Sequence, residues 1–251
     1  MKVLWLTNSD DLGAGKLPDD LRSYRLAAQR FHELTGEPAE MTARVIWPSP
    51  ALPDIIDGWI ERYEPQMVVF RINGFWYLYR SIPLQLERKL GRAAEPVARA
   101  GLKLAELPWI THTGAFHLAR RVLLRTVGGA TYFSGEEIVG VVERCMRRIV
   151  QHEEVSLVVR GQISTWTQGP PGIELSVHDQ LQALCEDLHV HYLGDRPGQK
   201  RVPEDFYSGG DRLHTSDAGH RWFAEREAAA MANAWWAQQG RVTAGPPASG
   251  G

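Results

Sequence analysis

Val3-Leu4-Trp5-Leu6-Thr7-Asn8-Ser9-Asp10-Asp11 opens the chain with a short apolar run that stops abruptly at small polar residues. A run of this length, ended by turn-forming side chains, reads as a buried strand leaving a sheet. The same signature recurs at 42–47, 67–72, 155–160 and 189–193. Between these runs the apolar residues switch to helical spacing. Helices are predicted over 18–34, with Gly36 as a stop, then over 55–63, 136–151 with Ser134 as N-cap, 175–188 and 216–239. Pro48, Pro50 and Pro53 read as a rigid loop. Residues 75–132 are less regular, with helical patterns at 84–107 and 117–126 separated by Pro108 and Gly114. Strands alternating with helices predict an α/β fold with βαβ units, a mostly parallel sheet and helices on both faces. In such sheets the ligand site lies in the loops after the carboxyl ends of the strands.

The chain has 251 residues, 43% of them apolar and 23% charged, with a net charge of -2. That length buries enough surface to fold without disulfides or metals. The near-neutral balance gives no bulk electrostatic case for nucleic acid or for an anionic membrane. The two cysteines, Cys145 and Cys185, fall in amphipathic stretches and read as reduced thiols. No apolar run approaches the ~18 residues of a membrane span. The apolar start at Val3–Leu6 is too short for a signal segment, so a cytoplasmic protein is the default. Residues 1–240 read as a single domain, with 75–132 as a helical insertion or cap, and the Gly/Pro/Ser-rich 241–251 as a disordered tail. Oligomeric state is not legible.

Three polar stretches fall where the site belongs. Ser9 follows the first strand, Asn73 the third, and Asp211-Arg212-Leu213-His214 precedes the terminal helix. Their chemistry is complementary. A serine hydroxyl needs a base to become a nucleophile, and His214 can serve. Asp211, three residues earlier, can hold that histidine in one tautomer. The Asn73 amide and the Ser9 N–H can donate to the oxyanion of a tetrahedral intermediate.

These stretches resemble the blocks of the SGNH (GDSL-like) serine hydrolases. Val3 to Ser9 resembles the first block, a strand running into Gly-Asp-Ser. Arg71-Ile72-Asn73-Gly74 resembles the third, Gly-x-Asn-Asp. Asp211-x-x-His214 with Gly219-His220 downstream resembles the last. The resemblance implies a flavodoxin-like three-layer α/β/α sandwich with a five-stranded parallel sheet. It also implies cofactor-free hydrolysis of esters or thioesters of a small acylated molecule, through an acyl-enzyme on Ser9. Thr7-Asn8 stands where the family has Gly-Asp, Arg71 replaces a glycine, and Gly74 replaces an aspartate. The second block normally supplies a glycine N–H to the oxyanion hole. Ser49 takes that place here, since Pro48 and Pro50 have no N–H to give. Two alternatives share the fold: an acyltransferase using the same residues, and a binding module without catalysis.

Other motifs carry less. Asp10, Phe75 and Trp76 are candidate pocket residues beside the nucleophile and Asn73. Gly13-Ala14-Gly15-Lys16 lacks the first glycine and the final Ser or Thr of a phosphate loop. His112, His117, His189 and His191 have no acids or cysteines at metal-site spacing. His220 reads as structural. Arg120, Arg121 and Arg125 form either a solvated helix face or an anchor for an acidic group.

Overall fold

Five short strands lie side by side in the computed structural model, which describes residues 1–8, 18–91, 113–161, 172–197, 202, 205–206 and 215–244. They are β1 (Lys2–Thr7), β2 (Glu40–Val45), β3 (Met67–Arg71), β4 (Ser156–Arg160) and β5 (His191–Leu193). All pair in parallel, in the order β2-β1-β3-β4-β5. The chain goes outward from β1 to β2, then returns across β1 to β3. The β1/β3 boundary is therefore the topological switch point, where open α/β sheets place ligands.

The three central strands, β1, β3 and β4, are buried on both faces, so they carry apolar side chains in both directions. Val3 and Trp5 of β1, Met67 and Val69 of β3, and Val158 of β4 point to one face. There they meet Tyr24, Ala27 and Phe31 of α1 (Ser23–Thr35) and Ala224, Ala228 and Met231 of the terminal helix. Leu4, Leu6, Val68, Phe70, Leu157 and Val159 point to the other face. They pack against α2 (Leu52–Tyr63), which contributes Ile56 and Ile60. Beyond the short α3 (Phe75–Leu78), α4 (Ile82–Leu90) and α5 (Gly114–Thr126), this face is completed by two more helices. Those are α6 (Gly135–Ile149) and α7 (Ile173–Asp187), through Ile138, Val142, Met146 and Leu181. The last helix is α8 (Asp217–Ala244). The expected three-layer α/β/α sandwich is the one observed.

Helix ends depart from the expected bounds for local reasons. Gly36 ends α1 in the left-handed region (φ 76°), donating its N–H to His32 O, as expected of a stop. In contrast, α2 begins at Leu52 because proline is tolerated in a first turn, so Pro53 belongs to the helix and not to the loop. Gly114 is the first residue of α5, where the Thr113 hydroxyl caps the helix by accepting from Phe116 N–H. The pattern at 84–107 does not run through, because α4 ends at Leu90 with Gly91 at φ 59°. The terminal helix continues to Ala244, beyond the boundary read at 240, and 245–251 lie outside the described residues. No helix among the described residues is long and apolar enough to cross a membrane.

Residues 82–129 are an excursion in sequence whose two ends meet at a narrow neck. Ser81 and Ala130 exchange both backbone hydrogen bonds, at 2.8 and 3.1 Å. The described parts of this excursion are α4, α5 and the turns beside them.

Candidate active site

Of the candidate oxyanion residues, Asn73 follows β3 at the switch point and Ser49 follows β2. β1 and β3 pair in register up to Leu6 and Phe70, so the chain leaves the two strands side by side, at Asn8 and at Ile72–Asn73. Ile46 N–H donates to Thr7 O at 2.8 Å, which keeps the exit of β2 at the same edge. Ser49 lies three residues further on.

Asn73 is held in one orientation. Its Oδ1 accepts the backbone N–H of Phe75 at 3.0 Å, an Asx turn that starts α3. With the oxygen so engaged, the Nδ2 end of the half-buried amide faces away from α3, and it donates to no described group. Ser49 accepts Leu52 N–H on its carbonyl at 3.1 Å, while its own N–H donates to no described group. Asn73 and Ser49 thus each keep a donor with no described acceptor, on the exits of the two strands that flank β1.

The start of α8, three residues after His214, is firmly seated. Ser216 Oγ accepts Gly219 N–H at 3.0 Å as an N-cap and donates to Asp205 O. Ser216 N–H donates to Phe206 O at 2.9 Å. Gly219 has to be glycine, because a Cβ there would lie 2.5 Å from Phe206 O and 2.4 Å from Thr215 Cγ2. One turn along, buried His220 accepts Ser23 N–H on Nδ1 at 3.1 Å. That bond leaves the ring proton on Nε2 and ties α8 to the first turn of α1.

Beneath this edge, on the α1/α8 face, sits a charged cluster that sequence reasoning missed. Arg71 ends β3 and Arg160 ends β4, and the two are register partners. Both guanidinium groups face the Phe223 ring, Arg160 at 3.8 Å and Arg71 at 5.4 Å from its centroid. Arg160 Nη1 also pairs with Glu227 Oε1, and both side chains are fully buried. A buried pair of this kind is worth keeping only if both partners stay, since stripping one strands the other's charge. The available signal was Glu227 itself, a charge four residues after Phe223 on the stripe that α8 buries.

On the opposite side of Asn73 an aromatic wall is assembled from distant parts of the chain. Trp47, 46% exposed, meets Tyr132 edge-on at 5.2 Å and Trp76 at 6.5 Å. Phe75 stacks on Tyr79 at 4.7 Å and leans on Tyr132 at 5.5 Å. Phe133 N–H donates to Trp76 O, which binds the 132–133 segment to α3. Trp76 is 2% exposed and stands behind the wall as core, while Trp47 and Phe75 present its surface. Ser9, Asp10, Asp211 and His214 lie outside the described residues.

Neither a family model nor a curated protein matches the sequence. Solved structures do match in three dimensions. The psychrotrophic esterase EstA from Pseudoalteromonas sp. is similar over 94% of this chain and 98% of its own, with a TM-score of 0.55 at 12% identity. TesA matches over 93% and 99%, with a TM-score of 0.55 at 9% identity. A protein assigned as a GDSL-like lipase from Parabacteroides merdae matches over 93% and 95%, with a TM-score of 0.52 at 10% identity. The chain has the SGNH (GDSL-like) hydrolase fold. The likeness covers nearly the whole chain in each case, so the SGNH fold accounts for the sheet, both helical layers and the terminal helix together.

Proposed function

We propose that this chain is a serine-dependent acyl-ester hydrolase. Ser9 attacks the acyl carbon, His214 takes the hydroxyl proton and returns it to the leaving group, and Asp211 orients His214. Water then attacks the acyl-enzyme, with His214 again as base. Asn73 Nδ2, with the N–H groups of Ser49 and Ser9, holds the oxyanion. The observation that carries this reading is the fixed Asn73 amide, whose donor end is left open at the switch point. The SGNH fold supports it, since EstA is an esterase of the same architecture. Trp47 and Phe75 would bound the acyl or alcohol part of the substrate, with Asp10 beside the nucleophile.

Steady-state hydrolysis of short p-nitrophenyl esters tests the reading. Wild type turns over, while Ser9→Ala and His214→Ala fall to background; turnover unchanged in both variants refutes it. The aromatic wall favours a second reading, transfer of the acyl group to an alcohol or amine, because such a surface can hold an acceptor and displace water. Product analysis with added acceptors separates the two.

A further inference from the structure

The charge of -2 conceals a strong asymmetry. Residues 80–131 carry nine Lys and Arg against three Glu, a net of +6, so the remaining residues carry -8. Among the described residues of this region, Arg80, Arg88, Lys89, Arg120, Arg121 and Arg125 face a single acid, Glu87.

The apolar side of α5 is also turned outward. Its packed side consists of Phe116, Arg120 and Leu124. The Arg120 guanidinium lies 5.0 Å from the Tyr79 ring centroid, and its Nη2 donates to Arg80 O at 3.0 Å. The solvent side carries Leu118, Val122 and Leu123, which are 61%, 50% and 44% exposed, with Ala115 and Ala119 between them. The spacing 115, 118, 119, 122 is the one that a helix of a globular protein buries. Arg121 and Arg125, both exposed and in no ion pair among the described residues, run along one border of this stripe. At the end of α4, Leu90 is 60% exposed next to exposed Arg88 and Lys89.

We propose that this excursion docks peripherally on an anionic lipid surface, with the Leu118/Val122/Leu123 stripe entering the headgroup boundary and Arg121 and Arg125 meeting lipid phosphates. A convex helix of aliphatic side chains suits a fluid interface, which needs no shape complementarity, and the arginine border supplies the charge match. The neck joins the excursion to Tyr79 and Tyr132, both members of the aromatic wall, so docking brings the candidate site to the lipid surface. The proposal does not depend on ester hydrolysis.

Co-sedimentation of the full chain with large unilamellar vesicles tests it. Wild type should pellet with vesicles containing about a third phosphatidylglycerol at least about tenfold better than with pure phosphatidylcholine, and added salt should release it. The exposed-face variants R121E/R125E and L118S/V122S should each lose about tenfold or more of that binding while melting as wild type does. Ser9→Ala should bind as wild type does, which separates this outcome from the fate of the hydrolase reading. Absent binding, equal binding to neutral vesicles, or binding untouched by both double variants overturns the proposal. Self-association lost in L118S/V122S, without vesicle binding, also overturns it and assigns the stripe to a second copy of the chain.

Discussion

The Phe75 N–H donates to Asn73 Oδ1 at 3.0 Å, and this bond determines which end of the Asn73 amide remains to act as a donor. Asn73→Ala should therefore lower kcat on the order of a hundredfold to a thousandfold with little change in KM, the cost of one oxyanion donor. Asn73→Asp keeps the acceptor for Phe75, and so the turn, but replaces the donor with negative charge. It should lose at least as much activity while melting near wild type. Ester kinetics and thermal melts of the two variants check this.

The Arg160–Glu227 pair is buried between the sheet and α8. Glu227→Ala removes one partner of a buried charge pair and should cost about 3–5 kcal/mol in denaturant unfolding. Arg160→Met combined with Glu227→Leu removes both charges of the pair and should cost less than the single substitution, since the pair's charges leave together.

Gly219 is closed to any side chain by Phe206 O, whereas Gly58 in α2 has open space where its Cβ would be. Gly219→Ala should cost about 1–3 kcal/mol by forcing the 205–206 segment from the start of α8. It should also reduce esterase turnover, because His214 lies only three residues before that start. Gly58→Ala should instead stabilise by up to about 1 kcal/mol and leave turnover unchanged. Paired melts and rates check both.

Helix α6 begins with a reciprocal cap. Ser134 Oγ accepts Glu137 N–H at 3.1 Å, and Glu137 Oε2 accepts Ser134 N–H at 2.6 Å. Ser134→Ala should cost about 1 kcal/mol. The Ser134 backbone N–H holds the Glu137 carboxyl below its ordinary range. The folded state therefore binds that proton less tightly than the unfolded chain. This contribution is complete above the unfolded value, near pH 4.3, and is lost as pH falls through the lower folded value. The difference in stability between wild type and Glu137→Gln should accordingly shrink in acid and level off above about pH 5.

The sheet was readable because parallel strands buried on both faces leave unbroken apolar runs, as at Val68 to Phe70 and Leu157 to Val159. Ser134 was readable for a local reason too, since a capping box spans four residues. What escaped depended on tertiary contact. Trp47 sits at a strand exit and meets Tyr132, and nothing near either residue in sequence announces the pairing. Arg160 reads as the polar end of a strand until Glu227, on a helix far along the chain, turns it into half of a buried pair. Asn73 was legible as a donor by residue type, but the orientation of its amide comes only from Phe75. The outward stripe of α5 has ordinary amphipathic spacing, and sequence alone does not say which side of a helix the body covers.

Intact-mass analysis after treatment with a fluorophosphonate, followed by peptide mapping, tests the central claim most directly. The account predicts one adduct on wild type, located at Ser9, none on Ser9→Ala, and strongly slowed labelling of His214→Ala. An adduct of equal yield on Ser9→Ala, or one mapped to another residue, would contradict it.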